Sequence, residues 1–329
     1  MSRSKLIRAA ITMGDPAGIG AELIVKALAH PAVSNIADFV IIGDKWAFNK
    51  AQGACLPAGR QKLRAKNYTF LDLNNVPREN FRFGVNRPEY GRASIEYIDK
   101  AAQLLKKRAV DCLVTCPISK EAINSAGFRF PGHTEYLAKL TKAKDFVMML
   151  LNRQLKIVLI TRHIPLTKVS SAISKEIILK DILLTYKSLK RLFLIPSPRI
   201  VVCGLNPHAS DNGLLGTEEN NIIKPVLKRL NPLIAHSIDG PFSADVAISR
   251  ACKNKYDCVV AMYHDQALIP LKLSGSSTGV NITLGLAFVR TSPLHGTAFD
   301  IAGRNLADPS SMIESIKLAV RCTLNQRKA

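Results

Sequence analysis

The sequence predicts an α/β layered fold in about two domains, and three observations carry the prediction. Short, wholly apolar runs alternate with longer amphipathic stretches along the chain, with no internal repeat and no low-complexity tract. Several of the apolar runs end abruptly in polar residues, as strands of a parallel sheet do where a ligand sits beyond their carboxyl ends. The length, 329 residues, fits two domains of about 150 residues each.

Residues 8–13 read as the first strand, and the turn Gly14-Asp15-Pro16-Ala17-Gly18-Ile19-Gly20 leads into a helix over 21–30. A glycine turn there can seat an anion on the helix N-terminus. The spacing is neither G-x-G-x-x-G nor a Walker A loop, so a tight turn is an equal reading. Residues 38–43 form the second strand, followed by a helix with Trp46. The window 52–90 is rich in Pro and Gly and reads as loop with short strands, among them the basic run Lys62, Arg64 and Lys66. A helix over 93–107 precedes a buried strand over 112–115. Ser119 suits the N-cap of a helix over 120–126. The turn Pro131-Gly132 then ends at His133-Thr134, which opens the next helix. Amides and dipole at that end favour an anion, although Thr134 can equally be a plain cap.

Strands follow over 146–151 and 156–161, a long helix over 177–193, a strand over 199–203 and a helix over 218–230. A short strand over 233–237, a turn at Ile238-Asp239-Gly240-Pro241 and a helix over 245–253 lead to a buried strand at 258–262. Beyond it the chain offers Tyr263-His264-Asp265-Gln266, then Lys272, Asn281 and Arg290 among glycine-rich loops, a strand-like run over 286–289, and His295-Gly296-Thr297. A helix over 310–325 closes the fold.

Composition limits the function classes. Hydrophobic content of 47% suits a globular core, and no apolar run approaches the ~18 residues of a membrane span. The basic start of MSRSKLIRAAITMGD lacks a small-residue cleavage site and reads as the first strand, not a signal peptide. Seven cysteines, an odd number without a Cys-x-x-Cys pair, point to a reduced, cytoplasmic setting. The net charge of +21 could attract a polyanion. The basic residues are scattered and no nucleic-acid motif accompanies them, so a solvated surface and no nucleic-acid partner are expected.

His163, His208 and His264 each follow closely on a buried strand. Alone, each would pass for a hydrogen-bonded rim residue. Three at one structural address suit Zn²⁺ or a similar divalent ion acting as a Lewis acid, with Asp265 placed to orient His264. The same three imidazoles would also serve a hydrolase that activates water.

The blocks ITMGDPAGIG, CPISK, GHTEYLA, TRHIPL, GLNPHA, AMYHDQ, GVNITLGLAFVRTS and HGTAFDIAG, collinear from residue 11 to 303, resemble the 4-hydroxythreonine-4-phosphate dehydrogenases of vitamin B6 biosynthesis. The resemblance implies two α/β/α domains with a cleft between them, similar to isocitrate and isopropylmalate dehydrogenases. The expected boundaries are 1–133 with 271–329 for one domain and 134–270 for the metal-carrying other. It implies oxidation of 4-phosphooxy-L-threonine with NAD or NADP and a divalent metal (Zn, or Mg or Co), in a homodimer with its active site near the interface. The β-keto acid formed would lose CO₂ to give 3-amino-2-oxopropyl phosphate. His163, His208 and His264 match the family's metal ligands. His133, Thr134, Lys272, Asn281 and Arg290 match its substrate contacts, and cations and amides suit a phosphate. No general base or cofactor contact is assigned. The chain departs from the family's pattern at Ser210-Asp211-Asn212, where a Gly-Glu type sequence is usual, at Ala267, where glycine is usual, and at Phe242-Ser243, where Leu-Pro is common. The alternative is dehydrogenation of a related four-carbon acid phosphate, threonate or erythronate 4-phosphate.

Overall fold

The computed structural model describes residues 6–55, 67–130 and 132–328. The basic run Lys62, Arg64 and Lys66, and Pro131, lie outside the described residues. The elements in chain order are β1 (Arg8–Thr12), α1 (Gly20–Ala29), β2 (Asp38–Gly43), α2 (Lys45–Cys55), β3 (Tyr68–Asp72), α3 (Pro88–Lys106), β4 (Cys112–Thr115), α4 (Lys120–Ser125) and α5 (His133–Thr141). Next come β5 (Val147–Leu151), β6 (Lys156–Leu159), α6 (Val169–Ala172), α7 (Lys175–Phe193), β7 (Ile200–Cys203), α8 (Lys224–Leu230), β8 (Ile238–Phe242) and α9 (Ala244–Cys252). The chain closes with β9 (Cys258–Ala261), α10 (His264–Leu273), β10 (Val280–Leu284), β11 (Val289–Pro293) and α11 (Ser310–Lys328). Two compact units result, Met1–Ala143 with Leu286–Arg327, and Lys144–Gly285 with Lys328–Ala329.

The first unit is built on strands in the order β3-β2-β1-β4-β11, all parallel. β4 is buried along its whole length, as a strand covered on both faces must be. Gly14 ends β1 at a positive φ of 73°, and a Cβ there would stand 2.3 Å from the Pro117 carbonyl, so only glycine fits. Ser119 caps α4 as expected, its Oγ accepting from Ala122 N at 3.1 Å. α3 starts earlier than periodicity alone suggested, because Pro88 takes the first helical position after an extended Arg87.

The second unit runs β10-β5-β6-β9-β7-β8, with β10, β5 and β6 antiparallel in turn and β6, β9, β7 and β8 parallel. Ser174 caps α7, accepting from Ile177 N at 3.2 Å. Two local expectations are corrected. Residues 231–234 form a 3₁₀ turn, and the strand lies at Ile238–Phe242, where a turn was expected. Asn231 accepts from Ile238 N at 3.1 Å and donates to Ile238 O at 3.0 Å, which seats the strand one step later. Pro241 is tolerated because β8 is an edge, paired with β7 alone. Residues 264–273 form a helix that Pro270 disguised in the sequence.

The unit boundaries differ from those the sequence suggested. α5 belongs with the first unit, since Tyr136 donates to Asp99 Oδ1 on α3 at 2.6 Å. β10 belongs with the second, paired antiparallel to β5 from Val280 opposite Leu151 to Leu284 opposite Val147. No helix of the described residues is long and apolar enough to cross a membrane.

Candidate active site

In the first unit the candidate residues gather around one buried cation. Arg290 is 2% exposed and stands on β11 opposite Leu113 of β4. Its Nη2 donates to Thr115 Oγ1 at 2.6 Å and its Nη1 to Thr134 Oγ1 at a long 3.4 Å. Burial pulls the guanidinium down to about 10, with the Glu135 carboxylate opposing. His133 is the first residue of α5, and its Nε2 is buried without a hydrogen-bond partner. Burial first, then the Arg290 charge, holds His133 well below the usual imidazole range, so it is neutral. Thr134 makes no cap bond, because α5 has no side-chain cap. Its hydroxyl faces the arginine instead. A buried cation, a neutral imidazole, hydroxyls and a helix N-terminus are groups whose chemistry suits an anion.

The glycine turn before α1 is a tight turn. Ala17 N donates to Asp15 Oδ1 at 2.9 Å, Gly18 N to Asp15 O at 3.0 Å, and Ile19 N to Thr297 O at 3.1 Å, so these amides are occupied. Asp15 is 1% exposed, its Oδ2 has no partner, and burial pushes the carboxyl up to about 7.

In the second unit, β6, β7 and β9 are parallel neighbours, so His163, His208 and His264 all lie beyond the same edge. The structure brings two of them together. The rings of His163 and His264 have centroids 5.5 Å apart, inclined by 48°. His264 opens α10, and its Nδ1 stands 2.6 Å from Asp265 Oδ1, which leaves Nε2 as the outward donor atom. His208 sits in a left-handed turn over Pro207–Gly213, with positive φ at His208, Ala209, Ser210, Asp211 and Asn212. It neighbours Asp245, whose carboxyl is held low by the Ser243 hydroxyl first and feels His208 among lesser causes. Among the described residues no group of three or more His, Cys, Asp or Glu stands close enough to hold a metal. Nitrogen donors from the His163–His264 pair fit a divalent ion, and His208 is not gathered with them within this chain. Lys272 is exposed in the last turn of α10, and Asn281 lies half-buried on β10 opposite Leu150.

The family model described as "Pyridoxal phosphate biosynthetic protein PdxA" matches residues 35–319. The chain belongs to this family. A 4-hydroxythreonine-4-phosphate dehydrogenase of Sulfurihydrogenibium sp. is 44% identical over 319 residues, covering 96% of this chain and 98% of its own. A D-threonate 4-phosphate dehydrogenase of Cupriavidus necator is 40% identical, covering 93% and 94% respectively. The crystal structure of the Klebsiella pneumoniae 4-hydroxythreonine-4-phosphate dehydrogenase, 38% identical, matches 98% of each chain with a TM-score of 0.85. Within this family frame, sequence reasoning missed Thr115. The hydroxyl that holds Arg290 is the last residue of a buried strand, and a lone polar residue at a strand's carboxyl end was its signal.

Proposed function

We propose that this chain is a divalent-metal-dependent dehydrogenase that oxidises 4-phosphooxy-L-threonine with NAD or NADP. The product, 2-amino-3-oxo-4-phosphooxybutanoate, loses CO₂ to give 3-amino-2-oxopropyl phosphate on the route to pyridoxal phosphate. The observation that carries the reading is the buried Arg290, joined to Thr115 and Thr134 beside neutral His133, in a chain of this family. The two units serve as two domains, one carrying the anion site and the other the histidines.

Each residue has a role in this reading. Arg290 binds the phosphate through charge-assisted hydrogen bonds, and Thr115 fixes its guanidinium plane. His133, being neutral, has one ring N–H to donate and repels no second cation. Lys272 and Asn281 are further substrate contacts in this reading. His163, His208 and His264 hold the metal, and Asp265 fixes the ring of His264. A divalent ion held there would polarise the oxygen of the alcohol being oxidised. A homodimer with the site near its interface belongs to this reading. We assign no residue to the nicotinamide. A cytoplasmic setting belongs to the same reading, with cysteines 112, 116, 203, 252, 258 and 322 all free.

The test is a substrate panel read by the absorbance of the reduced cofactor. 4-Phosphooxy-L-threonine should be the best substrate by kcat/KM. Turnover of D-threonate or D-erythronate 4-phosphate with none of the amino compound would replace it with the alternative, which the Cupriavidus relative's name favours. No reduced cofactor with any of them would overturn the dehydrogenase reading.

A further inference from the structure

We propose that Gln266 is a positioning residue that sets the three histidine-bearing strand ends against one another; this rests on the metal reading above. The three loops are joined by one hydrogen-bonded path. Thr161, two residues before His163, donates its N–H at 3.1 Å and its Oγ1 at 2.7 Å to Met262 O. Met262, two residues before His264, donates its N–H to Gln266 Oε1 at 2.7 Å. Gln266 Nε2 donates to Gly204 O at 2.8 Å, at the start of the loop that leads to His208. Gln266 is 8% exposed, so these bonds have little competition from water.

The chemistry of the position requires an amide. Met262 offers a donor and Gly204 an acceptor, so one side chain must accept at one atom and donate at the other. The two backbone partners also fix which way the amide faces. A carboxylate would satisfy Met262 and repel Gly204, and an apolar chain of equal length would leave both backbone groups buried and unpaired.

The far side of the same loop is clamped independently. Glu219, fully buried, accepts from Leu205 N and Asn206 N at 2.8 Å each through Oε1, and from Asn206 Nδ2 at 2.9 Å through Oε2. A Cβ on Gly204 would meet Glu219 Oε1 and Ala209 Cα at 3.0 Å each, so glycine lets the carboxylate and the turn close on the loop. Between Gln266 and Glu219 the chain enters the left-handed turn that carries His208 with both ends of its lead-in fixed. Gln266 thereby reaches from the His264 helix to the start of the His208 loop. Groups hydrogen-bonded directly to a ligand change metal affinity by roughly tenfold to a hundredfold when lost. Gln266 acts further out, through backbone two residues before His264 and four before His208, so the lower end of that range applies.

The experiment titrates the metal-free protein with Co²⁺, followed by its visible absorption, in wild type, His208→Ala and Gln266→Met. Thermal unfolding and affinity for inorganic phosphate are measured alongside. The expected result is loss of the high-affinity Co²⁺ signal in His208→Ala. Co²⁺ affinity in Gln266→Met should be about tenfold weaker at a temperature where it is fully folded, with phosphate affinity unchanged. Should the methionine variant not fold, Gln266→Glu makes the same comparison, since it keeps the acceptor for Met262 and sets a carboxylate against the Gly204 carbonyl. Wild-type Co²⁺ affinity in the Gln266 variant, with His208→Ala impaired, overturns the positioning role and leaves the metal reading standing. Wild-type affinity in His208→Ala overturns the metal reading itself, and the positioning role with it.

Discussion

Replacing Arg290 by methionine should separate binding from stability. The guanidinium donates to Thr115 Oγ1 at 2.6 Å, and desolvation pulls it from its ordinary 12.5 to about 10. Keeping the charge buried therefore costs on the order of 3 kcal/mol. Methionine fills much of the volume, so the cavity cost is small. It unpairs the Thr115 hydroxyl, which costs about 1–3 kcal/mol. The two effects oppose, and stability measured by urea unfolding should move by no more than about 1–2 kcal/mol. Binding has no such compensation. Loss of a charge-assisted contact to phosphate removes roughly 1.5–3 kcal/mol, or about tenfold to a hundredfold in KM. The assay compares KM and kcat for 4-phosphooxy-L-threonine with those for its non-phosphorylated analogue. KM for the phosphorylated substrate should rise by that factor, and KM for the analogue should change little. An equal rise for both would place Arg290 against another part of the ligand, and unfolding by several kcal/mol would show that the charge is structural.

Three further outcomes are expected. His208→Ala should lose most activity while keeping its fold; a variant that keeps full activity after chelation and metal-free dialysis would refute this. Asp15 is raised from 3.8 to about 7 by burial, so the folded chain holds a proton that the unfolded chain releases. The contribution is fully favourable below about pH 4 and is lost as pH rises through about 7, by on the order of 4 kcal/mol in all. Asp15→Asn should flatten that slope in urea unfolding at pH 5 and pH 8, and an unchanged slope would argue against a buried carboxyl. Ser210 is fully buried at a φ of 73° with an unpartnered Oγ. Ser210→Gly should stabilise the chain by roughly 1–2 kcal/mol, and a drop in Tm would refute the strain.

What the sequence disclosed and what it hid divide along physical lines. A buried parallel strand must be apolar throughout and stop abruptly, so β4, β7 and β9 and the residues beyond their ends could be read directly. That gave the addresses of His208 and His264, and the end of β6 gave that of His163. Periodicity fails where one residue carries two opposed signals. Pro270 marks a break, yet it sits inside α10, whose first turn is tied to the end of β9 by Met262 N–H donating to Gln266 Oε1 at 2.7 Å. Pro241 likewise marks a turn, yet an edge strand has no use for its missing N–H. The candidate sites were half legible for a different reason. Which side chains could serve was visible residue by residue, but which of them meet is decided by bonds between residues far apart in the chain. Thr115 and Arg290 are separated by 175 positions, and Gln266 and Gly204 by 62. Nothing local to either partner announces such a bond. Both follow one rule that can be applied in advance: a polar residue inside or just beyond a buried strand must find a partner. Thr115 satisfies it by accepting from Arg290, and Gln266 and Glu219 by bonding the backbone of the loop that begins at Gly204.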